Sequence, residues 1–308
     1  MIPPKLKVEE GAEGYKKFLI IFIQLTEGYN MELEVRELEE KKAEVLISDS
    51  NPPMANALRR VLIADIPKMA IEDVEFHLGT IGGEEENKEY ESAAPIFDEI
   101  IAHRLGMLPI PTDLELFDYR NECEECEGEG CPNCTIIYSL NKKGPCTVYS
   151  GDLIPVGEND LRPVDDLIPL VKLDDDQALL MYATAELGTS KRHAKWQPTS
   201  GVAYKYYPEI DIDSDKCNLC KDCVESCPVD ILKMEDDQIK VTDTEKCKMC
   251  SACVEACNLD AINVEGRDDK FILTFETDGS LSTEDTLKEA LKILQEKFSD
   301  VAEQIENI

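Results

Sequence analysis

The stretch KCNLCKDCVESCP, beginning at Lys216, places four thiols within eleven residues, and KCKMCSACVEACN repeats the pattern thirty residues later. Each unit has the spacing CxxCxxCxxxC, with Cys217, Cys220, Cys223 and Cys227 in the first and Cys247, Cys250, Cys253 and Cys257 in the second. Thiolates are soft, anionic donors that suit iron. In units of this kind the first three cysteines wrap one cubane, and the fourth ligates the other cluster. The spacing therefore predicts one [4Fe–4S] cluster on Cys217, Cys220, Cys223 and Cys257, and a second on Cys247, Cys250, Cys253 and Cys227. Two zinc sites or a set of disulfides are the alternatives, although zinc more often takes separated CxxC pairs than triplets with a fourth partner. Pro228 follows the first unit and Asn258 the second. That difference bears on the stiffness of the turn, not on ligation.

A third group, Cys123, Cys126, Cys131 and Cys134, has the spacing CxxC-x4-CxxC on a Gly/Glu-rich stretch. Two chelating pairs can close a tetrahedral zinc site with no open position, which makes the site structural. Disulfides, an unoccupied loop or another cluster are the other readings. Cys146 stands apart from all three groups and reads as an ordinary thiol. Metal-ligand spacing in an acidic chain without a signal-peptide pattern points to a reducing cytoplasm. Lys and Arg number 32 against 65 Asp and Glu, a formal charge of −33. Such a surface repels phosphate backbones, so no direct nucleic-acid contact is expected, though the chain could still belong to a nucleic-acid machine. The apolar run FLIIFI from Phe18 is too short to cross a bilayer, and no membrane association is expected.

The 308 residues are enough for two or three domains. Residues 1–30 fit poorly with the segment after them and read as an extension or an upstream start. Met31 opens an alternating, charged segment of strand character. From Asn56 the apolar positions Leu58, Val61, Leu62 and Ile66 have helical spacing, stopped by Pro67. A second short helix is expected around IAHRLGMLP from Ile101. His103 within it has no visible acid, base or nucleophile partner and reads as structural. GVAYKYYPEIDID and KFILTFETDG, on either side of the paired cysteine units, read as strands. Trp196 and the tyrosines at 204, 206 and 207 read as core or interface aromatics, because acidic surroundings disfavour base stacking. At the end of the chain Leu287, Leu291, Leu294, Phe298, Val301, Ile305 and Ile308 step by four and three. This is a heptad seam on a helix of about 26 residues, which calls for a partner helix or a place on the protein's own sheet. Ser282 and Asp285 have capping-box spacing at its start.

Residues 211–267 resemble a bacterial-type two-cluster ferredoxin domain. On either side, NPPMANALRRVLIADIPKMAIEDVEF (from Asn51), DEIIAHRLGMLPIP (from Asp98), HAKWQPTSGVAYKYYP (from His193) and FETDGSLSTEDTLKEALKIL (from Phe275) resemble the D-subunit family of archaeal RNA polymerases. That family is similar to the bacterial alpha subunit and to the eukaryotic third-largest subunit, and some of its members carry a ferredoxin-like insertion. The resemblance implies an α+β fold with a discontinuous alpha-subunit-like dimerisation domain (31–70, 185–210 and 268–308), an inserted mixed domain (71–184) and an inserted ferredoxin-like domain (211–267). It implies a non-catalytic assembly subunit that pairs with subunit L through antiparallel helices and gathers the large catalytic and other small subunits. The seam from Leu287 to Ile308 is then the candidate contact with L. Asn56, Arg59 and Arg60 are candidates to face the large subunits, with an ordinary solvated helix face as the alternative. On this reading the clusters hold a domain folded and could make assembly sensitive to redox state or oxygen. The competing expectation is a ferredoxin-type electron-transfer module of an oxidoreductase.

Overall fold

The computed structural model describes residues 6–13, 16–26, 29–82, 89–92, 96–157 and 161–306, with side chains placed from Met31 to Ile305. The chain begins with β1 (Leu6–Glu13), β2 (Lys16–Thr26), β3 (Tyr29–Leu38) and β4 (Lys42–Ser48). Helix α1 (Pro52–Ala64) precedes β5 (Lys68–Phe76), β6 (Gly79–Gly82) and β7 (Glu89–Ser92). Helix α2 (Asp98–Gly106) leads through the first cysteine loop to β8 (Thr135–Lys143), β9 (Cys146–Tyr149), β10 (Ile154–Pro155), β11 (Pro169–Leu173) and β12 (Gln177–Gly188). The remaining elements are β13 (Thr199–Ile212), α3 (Asp222–Glu225), β14 (Leu232–Glu235), β15 (Gln238–Val241), α4 (Ala252–Glu255), β16 (Ile262–Thr277) and α5 (Thr283–Glu306). The fold is a mixed α+β one with several sheets.

Two compact units emerge. One comprises Met1–Glu37, Glu44–Ala57 and Ala203–Thr274, the other Leu38–Ala43, Leu58–Val202 and Phe275–Ile308. In the first, a six-stranded sheet runs in the order β1-β2-β3-β4-β16-β13. The N-terminal stretch expected as an extension thus supplies two strands, with β1 antiparallel to β2 and β2 antiparallel to β3. In β3 the alternation of MELEV buries Met31, Leu33 and Val35, as the two-residue period of a strand requires. Tyr204 and Tyr206 of β13 meet buried Phe271 of β16 at ring-centroid distances of 5.7 and 5.3 Å. Lys270 lies over the Tyr207 ring. Helix α1 starts earlier than the spacing from Asn56 suggested, because the Asn51 side chain accepts the Met54 N–H at 3.0 Å and caps it.

In the second unit β12 is the central strand, antiparallel to β5 and to β8 and briefly parallel to β7. Its core joins Met181 and Leu179 of this sheet to Tyr138 and to Ile101 and Leu105 of α2. Leu58, Val61, Leu62 and Ile66 are all buried, as their spacing predicts. Trp196 is buried as well. Its indole N–H donates to the Glu186 carbonyl at 3.1 Å, and the Arg192 and Lys195 cations lie 4.5 and 4.4 Å from its ring centre. Ser282 caps α5 in the manner its spacing implied: its hydroxyl accepts the Asp285 N–H at 3.0 Å and donates to the Asp285 carboxylate at 2.5 Å. Among the described residues no helix is long and apolar enough to cross a membrane.

Candidate functional site

The loop between α2 and β8 turns tightly because Glu127, Gly128 and Gly130 adopt φ of 50°, 91° and 106°. The two glycines take up this left-handed region without a steric penalty. The turn brings four thiols together. Cys123 and Cys131 are 3.6 Å apart, Cys126 and Cys134 3.6 Å, and Cys131 and Cys134 3.8 Å. A tetrahedral ion with metal–sulfur bonds of about 2.3 Å needs sulfur–sulfur edges of about 3.8 Å. The thiols sit at that spacing, well beyond a covalent S–S bond, and all four cysteines are free. The group can therefore hold a metal ion. The Gly130 N–H donates to Cys126 Sγ at 3.3 Å and is the main reason that thiol is lowered to about 7. Burial pushes the Cys134 thiol up to about 12. Arg120 ties the loop down, donating to the carbonyls of Gly128 and Glu129 at 3.0 Å each and reaching Glu186 of β12 at 3.4 Å.

A chelation experiment probes this geometry. Removing the metal should expose a graded set of thiols, since the thiolate is the nucleophile. At neutral pH an alkylating reagent should label Cys126 first and Cys134 last, and metal should protect all four, as peptide mass mapping would reveal. Equal labelling with and without metal would rule out ligation.

The paired cysteine units share one backbone design. Leu219, Lys221 and Asp230 in the first have φ of 62°, 72° and 53°, and Met249, Ser251 and Asp260 in the second have 50°, 62° and 47°. Left-handed residues alternating with ordinary ones turn successive N–H groups inward and form an anion-binding nest suited to a thiolate-ligated group. Two cavities result. One, of about 120 Å³, is lined by Cys217, Cys220, Cys223 and Cys257, with Ile212, Ile239 and Ile262 as apolar walls. The other is lined by Cys227, Cys247, Cys250 and Cys253, with Ile210, Ile231 and Val264. Each cavity thus gathers three thiols of one unit and the last thiol of the other. Among the described residues, the Cys123–Cys134 group is the one set of three or more ligand atoms within 4.8 Å of one another. The thiols around the two cavities are spaced too widely for a single tetrahedral ion, and the donor set fits a larger, polynuclear group. Burial, and then the neighbouring thiols Cys217 and Cys220, raise the Cys223 thiol. Burial likewise raises Cys253, with Cys247 and Cys227 adding to it. A cationic core relieves that repulsion, so its binding releases protons.

The terminal seam is split. Leu287, Leu291 and Leu294 are buried, whereas Phe298, Val301 and Ile305 are 41, 53 and 66% exposed. Ile308 lies outside the described residues. Lys297 of α5 pairs with Asp65, which also pairs with Lys191. On α1, Asn56 is half-buried, Arg59 donates through Nε to the Val202 carbonyl at 3.2 Å, and Arg60 is exposed. His103 is exposed on α2, and half-buried Cys146 donates to the Lys143 carbonyl. Arg36, Arg120 and Lys205, which hold the cysteine loops, carry no motif that spacing could have revealed.

Residues 44–298 match the RNA polymerase Rpb3/Rpb11 dimerisation domain. Among curated proteins, the DNA-directed RNA polymerase subunit Rpo3 of Thermoplasma volcanium is 45% identical over 275 residues, covering 89% of this chain and 99% of the relative. The protein of the same name from Picrophilus torridus is 43% identical over 273 residues with the same coverage. That of Methanothermobacter thermautotrophicus is 41% identical over 272 residues, covering 88% and 97%. With the family match spanning most of its length, the chain belongs to the RNA polymerase Rpb3/Rpb11 dimerisation domain family.

Proposed function

We propose that this chain is a non-catalytic assembly subunit of a DNA-directed RNA polymerase. It pairs with the small subunit L, and the pair forms the platform on which the large subunits and other small subunits gather. The dimerisation domain comprises residues 31–70, 185–210 and 268–308, with 71–184 as an insert carrying a structural zinc on Cys123, Cys126, Cys131 and Cys134. Residues 211–267 form a ferredoxin-like domain with two [4Fe–4S] clusters, one on Cys217, Cys220, Cys223 and Cys257 and one on Cys247, Cys250, Cys253 and Cys227. The relatives' names speak for transcription over electron transfer. The observation that carries the partner reading is the apolar stripe of α5, covered as far as Leu294 and open at Phe298, Val301 and Ile305. A second helix laid against that open half would continue the heptad packing.

Coexpression with subunit L tests this. Replacing Phe298, Val301 and Ile305 together by glutamate should weaken the pair by about a hundredfold or more, since burying such side chains contributes about 1.5–3 kcal/mol each when complete. The isolated chain should keep its helix content. Leu291→Ala should instead destabilise the isolated chain by about 2–5 kcal/mol. An unweakened pair in the triple variant overturns the assignment of this face. Cluster loss should loosen assembly in air. An unsubstituted chain that assembles equally well in air and without oxygen would remove the redox part of the proposal.

A further inference from the structure

The two cysteine units share their spacing and backbone turns, yet the second is gripped by side chains from the six-stranded sheet. Lys205 of β13 donates through Nζ to the Glu245 carbonyl at 2.5 Å and to the Cys247 carbonyl at 3.4 Å. Arg36 of β3 pairs with the Glu245 carboxylate at 2.9 Å and is itself steadied by Glu34 at 2.5 Å. Behind the loop, Gly266 of β16 leaves a hollow. A Cβ there would come within 2.7 Å of Tyr206 Cβ and 3.4 Å of Met249 Sδ, so Met249, between Cys247 and Cys250, settles where a larger residue would stand. The corresponding loop of the first unit is held by its own short-range bonds. The Cys217 N–H donates to the Asp213 carbonyl, the Asp215 N–H to the Asp213 side chain, and Lys216 pairs with Asp213.

We infer that Lys205, supported by Arg36, is the positioning residue of the second cluster, fixing the Cys247 loop on the sheet and placing a cation beside that cluster. The inference rests on the reading that the Cys227, Cys247, Cys250 and Cys253 cavity holds an iron–sulfur cluster. It makes the two clusters unequal in a chain whose cysteine motifs are alike. One ammonium group has two effects here. Its hydrogen bonds hold the loop that carries Cys247 and Met249, so the second cluster resists loss as long as they persist. Its charge stabilises the reduced, more negative form of that cluster and so holds its potential above what the same site would have without it.

The test uses the full chain, purified with subunit L without oxygen, and compares it with Lys205→Gln and Lys205→Arg. Iron and sulfide are measured first, then iron release to a chelator, then the potentials of both clusters by redox titration followed by electron paramagnetic resonance. In Lys205→Gln half of the iron should leave about tenfold faster, the effect of one lost charge-assisted hydrogen bond, while the other half leaves as before. The potential of one cluster should fall and that of the other stay. Lys205→Arg should restore both the slow release and the potential. Should the glutamine variant fail to fold, Glu245→Gln, which removes the Arg36 ion pair and keeps the carbonyl, should hasten release from the same half by a smaller factor. Release that is uniform, unchanged, or equally fast in the arginine variant overturns the inference and leaves the cluster assignment standing. An unsubstituted chain that holds no iron and sulfide overturns both.

Discussion

Serine in place of Cys257 should empty the cavity of the first cysteine unit and leave that of its own unit filled. The reason is geometric. Within CxxCxxC the three thiols are close enough along the chain to wrap one face of a cubane, and the fourth, four residues on, lies past a helical turn. In this chain that turn is α4, and Cys257 beyond it lines the cavity of Cys217, Cys220 and Cys223. Cys227, beyond α3, lines the cavity of Cys247, Cys250 and Cys253. Iron and sulfide in Cys257→Ser should drop by about half, roughly four atoms of each, because a cubane short of one thiolate is readily lost. The surviving paramagnetic signal should be that of the second cluster, identified by its disappearance in Cys250→Ser. If Cys257→Ser instead removes the signal that Cys250→Ser removes, the crossed ligation is wrong. The crossing also has a mechanical effect. Cys217 lies five residues beyond the end of β13 and Cys257 five residues before the start of β16, so one cluster would staple the two chain segments through which the cysteine units join the sheet.

Trp196→Ala should be the most destabilising single change in the unit that contains it. The ring is fully buried, and the backbone of Gly188 lies so close that a Cβ there would stand 2.4 Å from it. Truncation removes a large apolar volume that β12 cannot collapse to fill, at a cost of about 3–5 kcal/mol. It also removes the indole N–H that donates to the Glu186 carbonyl. The change strips the cover, too, from Arg192 and Lys195, which pair with Glu186 and Glu72. For a unit of this size the thermal midpoint should fall by about 10 °C. This is the only tryptophan in the chain, so unfolding must be followed by circular dichroism rather than indole fluorescence. Trp196→Phe should fall between the two. A drop of a degree or two would mean that the pocket relaxes around the missing ring and that the cation pairs do not depend on it. Gly188→Ala would drive a Cβ into the same ring and should cost a similar amount.

The cysteine sets were open to sequence reading for a physical reason. Ligands two or three residues apart are confined by the chain to a few ångströms, so spacing alone fixes which thiols can share a group. The helical stripe of α1 and the alternation in β3 were legible for a similar reason, since both periods arise from backbone geometry and need no knowledge of distant partners. The cap at Ser282 is as local as these.

The same sequence left other matters to the tertiary structure. Seven apolar positions at heptad spacing predict a stripe on α5, and nothing in that period says that Leu287, Leu291 and Leu294 are covered within the chain while Phe298, Val301 and Ile305 stand open. Covering depends on what the rest of the fold brings alongside. The strands β1 and β2 were hidden for a related reason, because a strand is defined by the neighbour it pairs with. Lys205 and Arg36, like Arg120 at the other cysteine loop, act on residues 40, 209 and 8 to 66 positions away. The sequence by itself determined the cysteine spacings and the local elements, because short-range chain geometry specifies them, and the resemblance of its motifs pointed to the family. Only the folded chain decided which half of the terminal stripe is free and which cations grip the cysteine loops, because those depend on contacts between residues far apart along the backbone.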